Sequence, residues 1–307
     1  SVLHRQHRIE QQHTAFRPGR EAAVVGPCDA QIALDLLEDV VQRRRHRHTR
    51  AHRETQTKRL ACAAVGVLVA AIIGSSMAFI DGTVVNVALP AIQRDLHASV
   101  FQAQWVVESY ALFLAALLLV GGSLGDRFGR RRVFAVGVAI FGVASLACAA
   151  SRDVQQLIAA RAVQGIGAAL LVPGSLALIS ATFAEGERGR AIGAWSGFSG
   201  ITAALGPVLG GYLVDHLSWA WAFLINLPFA LAVLAITWAH VPESRNAQAP
   251  PALDIGGALL VTLGLGGVVY AFIEAPTQGW AAPLVLLALL VGLASLVGFV
   301  AVEWRSK

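Results

Sequence analysis

Ala111-Leu-Phe-Leu-Ala-Ala-Leu-Leu-Leu-Val120-Gly-Gly-Ser-Leu-Gly-Asp126-Arg127-Phe-Gly129-Arg130-Arg131-Arg132-Val-Phe-Ala-Val-Gly-Val138 is an apolar run, a short basic connection and a second apolar run. The same alternation continues on both sides. Eight apolar stretches occupy about 61–92, 105–125, 133–150, 154–183, 190–214, 219–240, 254–273 and 281–303. The hydrocarbon layer is roughly 30 Å thick and takes about 20 residues at about 1.5 Å each, so each stretch is long enough to cross it. In lipid the backbone must pair its own polar groups, so such runs are helices. The expected fold class is an all-α multi-pass membrane protein.

Basic residues fall on alternate connections. The side bearing the N-terminal tail carries nine after residue 61, namely Arg127, Arg130, Arg131, Arg132, Arg188, Arg190, Arg245, Arg305 and Lys307; the other carries two, Arg94 and Arg152. Positive residues stay cytoplasmic, so both ends are expected in the cytoplasm, with the protein in the plasma (inner) membrane. Composition agrees: 56% of residues are hydrophobic, 14% are charged and the mean hydropathy is +0.61. A soluble domain would need more polar surface. Cys28, Cys62 and Cys148 have no metal-ligand spacing, and no structural disulfide is expected in a reducing compartment.

Residues 1–60 are different material, holding 12 of the 24 Lys and Arg and 6 of the 9 His. They contain no apolar signal-peptide core. Asp29 is a candidate N-cap for a short helix through about Arg43. The run Arg43-Arg44-Arg45-His46-Arg47-His48 suits anionic lipid, or nucleic acid without specificity. The plainer expectation is a disordered basic tail. The single Met, Met77, lies inside the first stretch, which leaves open that residues 1–60 are outside the native reading frame.

The connection Gly122-Ser-Leu-Gly-Asp126-Arg127-Phe-Gly129-Arg130-Arg131 resembles the signature loop between helices 2 and 3 of the major facilitator superfamily. Further motifs agree in order. Helix 1 has Ile80-Asp81-Gly-Thr-Val-Val-Asn86-Val-Ala-Leu-Pro90, and helix 4 has Arg161-Ala-Val-Gln164-Gly165-Ile-Gly167. Helix 5 has Gly193 and Gly206-Pro207-Val-Leu-Gly210-Gly211, and helix 6 opens Trp219-Ala-Trp221-Ala-Phe223-Leu-Ile-Asn226-Leu-Pro228. Together these are similar to the 14-helix drug:proton antiporter branch, over about residues 60–307. Two positions depart from its pattern: Thr202 where the helix-5 motif has glycine, and Ala220 between the tryptophans.

The resemblance implies that 61–240 are the six-helix N-terminal half of a transporter and 241–307 two linker helices. The C-terminal half, which would pack on this one and receive the Asp126 loop, is expected as a missing partner, so the chain alone is not expected to transport. The other implied partners are membrane lipid and a small amphipathic or cationic substrate, with no specific nucleic acid. No cofactor is implied; the proton is the coupling ion. Transport of one metabolite, a non-transporting scaffold and a gene fragment remain alternatives.

Asp81 and Arg161 are the candidate proton-coupling residues. An ionisable group in a lipid span costs at least about 2.5–3.5 kcal/mol at mid-membrane. The two stand roughly 6 Å apart in depth on antiparallel helices. Burial favours the neutral carboxyl and a nearby cation favours the carboxylate, so a movable cation can load and unload a proton. The alternative is a static ion pair. Asn86, Glu108 and Gln164 are candidate cavity residues. Glu108 has a second reading, a carboxylate attracted by the helix-2 N-terminus. Asp254 reads as an N-cap of helix 7. Gly121-Gly-Ser123-Leu-Gly125 matches a serine-hydrolase elbow, but it ends a membrane helix and lacks partners, so it is a packing motif and no enzyme is expected.

Overall fold

A computed structural model describes the backbone of residues 27–245 and 255–306, and the side chains of 61–245 and 256–304. Among the described residues, eight helices are long and apolar enough to cross a membrane. They are α1 Pro27–Asp95, α2 Val100–Phe128, α3 Arg130–Ala149, α4 Val154–Thr182, α5 Glu185–His216, α6 Trp221–His240, α7 Ile255–Gln278 and α8 Pro283–Ser306. The protein is a multi-pass helical membrane protein.

Asp29 does not cap a helix. Helix α1 starts at Pro27 and does not stop near Arg43. Proline suits a first helical turn, where its missing N–H would have no partner. No glycine or proline follows until Gly66, so nothing in the chain interrupts the helix. Residues 27–60, expected as a mostly disordered tail, are therefore helical in backbone. The side chains of the Arg43–His48 run and of Cys28 lie outside the described residues, as does Asp254.

Two other ends differ from the apolar pattern. Helix α2 begins five residues before 105 because Ser99 forms a capping box: its hydroxyl accepts from Gln102 N–H at 3.2 Å, and Gln102 Oε1 accepts from Ser99 N–H at 2.8 Å. Glu108 therefore lies more than two turns inside the helix, where the terminal dipole has faded, and that reading of it is set aside. Helix α7 runs past 273 to Gln278 and takes in Glu274.

Helix α4 is gripped by α2 and α3. At Gly121 on α2 a Cβ would overlap the Ala169 carbonyl oxygen of α4, and at Gly137 on α3 it would lie 2.8 Å from Leu171 N. Without a hydrophobic drive between helices in lipid, such backbone approach is what dispersion needs. On α5, Gly206 and Gly210 sit one turn apart and lie against Thr83 and Val84 of α1, whereas Gly193 and Gly211 meet nothing within 4 Å. Gly122 is loose, with Pro173 Cβ 3.9 Å from the added atom. Thr202 donates its hydroxyl to Ser199 O at 2.9 Å. Cys62 and Cys148 are free thiols.

Within the first six spans, buried apolar residues form two clusters, one around Phe134, Phe141 and Leu178 and one around Val84, Leu157 and Phe223; a third, of Ala271, Ala275 and Val285, lies between α7 and α8. In the first, Trp195 Nε1 donates to Ser75 Oγ at 3.0 Å, Ser75 to Ser175 Oγ at 2.9 Å and Ser175 to Leu171 O at 2.9 Å. That chain ties α5, α1 and α4. Helices α7 and α8 form a hairpin on α2, with Gly267 against Gly292 and Trp105 ringed to Tyr270 at 6.2 Å.

Overpacking a tight contact costs about 1–3 kcal/mol. Gly121→Ala is expected to lower the thermal midpoint of the purified chain in detergent, followed by heating and gel filtration. Gly193→Ala, made where space is open, is expected to leave it unchanged. Equal midpoints for the two would show that the α2–α4 approach is not limiting.

Candidate functional site: a buried ion pair between the helices

Between the two apolar clusters lies a fully enclosed polar knot. Asp81 of α1 and Arg161 of α4 are both 0% exposed. Arg161 Nη1 donates to Asp81 Oδ2, and also to Gln164 Oε1 at 2.8 Å. Gln164 Nε2 donates to Asp81 Oδ1 at 2.8 Å and to Ser145 Oγ of α3 at 2.9 Å. Asn226 Nδ2 of α6 donates to the same Asp81 oxygen at 3.0 Å and to Ser145 Oγ at 3.3 Å. Ser145 in turn donates to Phe141 O at 2.8 Å. Arg161 Nε donates to Val106 O of α2 at 3.0 Å.

The local sequence explains the placement. Arg161 and Gln164 are three apart, so both project from one face of α4. Helix α6 has a break at Ile225 between Trp221–Leu224 and Asn226–His240. Pro228 falls in the first turn of the second segment, where its absent N–H breaks no helical bond. Asn226 opens that segment and is buried to 1% exposure. The guanidinium is also sandwiched by aromatics: its central carbon lies 4.2 Å from the Tyr110 ring centroid and 5.8 Å from that of Phe223. A planar, delocalised, weakly hydrated cation accepts such faces where an ammonium would not. Asp81 thus takes donors from α4 and α6, and Arg161 reaches α2. Five helices meet at one carboxylate–guanidinium pair. Such groups are expensive in lipid unless fully paired, and here each charged oxygen has a donor.

The structure brings Asp81, Arg161 and Gln164 together, but not in an open cavity. Asn86 and Glu108 lie elsewhere, in a cleft of about 340 Å³ between α1 and α2 that Gln93 and Gln104 also line. Asn86 is exposed and donates to Gly82 O at 2.7 Å; Glu108 is half-buried. Ser145 and Asn226 were not singled out from sequence for this site. Asn226 stood within the helix-6 motif and was the one readable signal.

The signature loop forms a second cluster at the other end of these helices. Gly129 has φ 114°, a conformation glycine alone adopts readily, and it joins α2 to α3 with no spacer. Asp126 pairs with Arg130 at 2.7 Å. Arg127 stacks on Phe128 at 5.5 Å. Arg131 donates to Trp238 O at 3.0 Å and lies 5.5 Å over the Trp238 ring. Glu243, just past α6, accepts from Arg131 N–H at 3.2 Å and faces Arg132 Nε at 3.6 Å. Arg130 N–H donates to Ser244 O at 2.9 Å. Sequence reading missed Glu243; the signal was an acidic residue on the connection facing the arginines.

Stacked membrane helices knotted around an intramembrane ion pair, with a basic turn joining α2 and α3, define a polytopic membrane protein. The model of the Major Facilitator Superfamily matches residues 71–305, and the chain belongs to that family. It is 46% identical over 239 residues to puromycin resistance protein pur8 of Streptomyces alboniger, covering 78% of this chain and 47% of that protein. It is 42% identical over 213 residues to the tetracenomycin C resistance and export protein of Streptomyces glaucescens, covering 69% and 40%. It is 40% identical over 244 residues to the methylenomycin A resistance protein of Bacillus subtilis, covering 79% and 52%. The chain spans about half the length of these relatives. The fold is similar to the POT family transporter PepTSo, with TM-score 0.55, 17% identity and coverage of 76% and 52%.

Removing one partner of a buried pair leaves an uncompensated charge, at about 3–5 kcal/mol. Arg161→Met and Asp81→Asn are each expected to destabilise the chain strongly. The double variant is expected to recover a large part of the loss, since no lone charge remains. Thermal unfolding of the four proteins in detergent measures the coupling. Additive losses would mean that the two groups do not interact.

Proposed function

We propose that this chain is the N-terminal part of a proton-coupled exporter of toxic or drug-like compounds, of the 14-helix antiporter type. Residues 61–240 form its first six-helix half and 241–307 its linker helices. The basic α2–α3 turn and both chain ends face the cytoplasm, and the protein sits in the plasma (inner) membrane. The observation that carries this reading is the Asp81–Arg161 pair, sealed within the spans of a chain whose relatives are named for resistance and export. No enzymatic step and no cofactor enter the proposal; the coupling ion is the proton.

The chemistry follows from charge balance. Asp81 accepts hydrogen bonds from Arg161, Gln164 and Asn226. A proton taken up by Asp81 removes its charge, weakens the hold on Arg161 and frees the guanidinium to seek another anion. Loading requires the sealed knot to open toward water, and release requires Arg161 to return. Movement of one helix of the α1–α4 pair thereby becomes linked to proton occupancy. Glu108 and Asn86 share a separate cleft, and in this reading a small amphipathic or cationic substrate binds there. Alternating access needs a second six-helix half rocking against this one, so the chain alone is not transport-competent.

The test is efflux of ethidium from right-side-out membrane vesicles preloaded with it that contain the chain together with its second half. Asp81→Asn is expected to insert in the membrane yet lose efflux driven by a pH gradient. Glu108→Gln is expected to raise the KM for the cation and leave proton coupling intact. Gradient-driven efflux by a correctly inserted Asp81→Asn protein would sink the proton-site assignment.

A further inference from the structure

A cleft of about 620 Å³ opens between α2, α4 and α7, at the end of the bundle opposite the α2–α3 turn. It is lined by Phe101, Gln102 and Trp105 of α2, Gln155 and Ile158 of α4, and Glu274 of α7. None of these residues takes part in the Asp81 knot or in the Asn86–Glu108 cleft. Glu274 sits one turn before the end of α7, about 6 Å inside the helix terminus. It is half-buried, and its carboxylate accepts from Gln278 Nε2 at 2.9 Å. The Trp105 ring that lines the cleft is braced from behind by Tyr270, 6.2 Å away on α7.

We infer that this cleft binds an ammonium group carried on an apolar body, with Glu274 as its counter-anion. Three features select that chemistry. The cleft has one anionic side chain and no cationic one, so an anion is repelled. Two aromatic residues line the same cleft as the carboxylate, and aromatic faces attract cations, most strongly when desolvated. The amide of Gln155 offers a carbonyl oxygen to an N–H donor, while Phe101 and Ile158 offer apolar surface to a tail. The cleft lies within a turn or two of the helix ends, at the depth where a lipid headgroup meets its chains. The ammonium therefore has two sources, the headgroup of phosphatidylethanolamine and a soluble organic cation. An ionisable side chain placed in a membrane helix and facing a cavity is a mark of such a role. The site is built by the linker hairpin as much as by the six-helix unit, which gives that hairpin a task besides connection.

The experiment uses the purified chain in nanodiscs of phosphatidylglycerol, titrated with radiolabelled phenethylamine, a primary ammonium at neutral pH. Saturable binding is expected in the wild type. Glu274→Gln, which keeps shape and loses charge, is expected to weaken it about tenfold, Trp105→Leu several-fold, and Glu274→Asp little. Circular dichroism and gel filtration establish that each variant is folded. Replacing half the lipid by phosphatidylethanolamine separates the sources. A raised apparent Kd in the wild type, absent in Glu274→Gln, assigns the site to the lipid headgroup; an unchanged Kd assigns it to the soluble cation. Equal binding by wild type and Glu274→Gln in both lipids overturns the proposal. So does binding that is lost only in Glu108→Gln, which would place the cation in the α1–α2 cleft.

Discussion

A charge in hydrocarbon has no solvent to fall back on, and the arrangement of helices α1–α4 and α6 follows from satisfying one such pair. Asp81 and Arg161 can neutralise each other only if α1 and α4 cross at that depth. The remaining lone pairs and N–H groups then recruit Gln164, Ser145, Asn226 and the Val106 carbonyl, which brings α2, α3 and α6 to the same point. Aromatic faces from Tyr110 and Phe223 close the guanidinium off. Apolar packing in lipid is nearly indifferent to which helices meet; a desolvated ion pair is not. The knot specifies helix neighbours and register, whatever net stability it contributes.

Glycine does the complementary work. Where α2, α3 and α4 lie closest, Gly121, Gly137, Gly165 and Gly167 leave no room for a side chain. On α5 the glycines divide by face: Gly206 and Gly210 lie against α1, while Gly193, Gly197 and Gly200 meet nothing within 4 Å. The helix-5 motif therefore contains both a packed face and a bare one.

The eight spans were legible because length and apolarity alone decide them. Their ends were not, since Ser99 and Gln102 start α2 with polar caps and Glu274 continues α7 past its apolar run. Asp81, Arg161 and Gln164 stood out because ionisable and amide groups are costly inside such runs. Ser145 and Asn226 did not, because a serine or asparagine in a membrane helix has many cheap explanations. Glu243 was invisible for a different reason. It lies on a loop, where acidic residues are ordinary, and its value comes only from what it faces. Asp29 misled because a good capping residue is no cap where the chain before it is already helical.

Glu243 also has a mechanical consequence. It holds the α2–α3 turn from the far end of α6, beneath the left-handed Gly129, and Arg131 adds a grip on Trp238. The polypeptide is thereby fastened to itself like a closed strap, its sixth span buckled to the junction of its second and third. Tilting α3 against α6 would tear this buckle at one end and the Ser145–Asn226 contact near the other. At that end of the bundle the second, third and sixth spans are thus held as one unit.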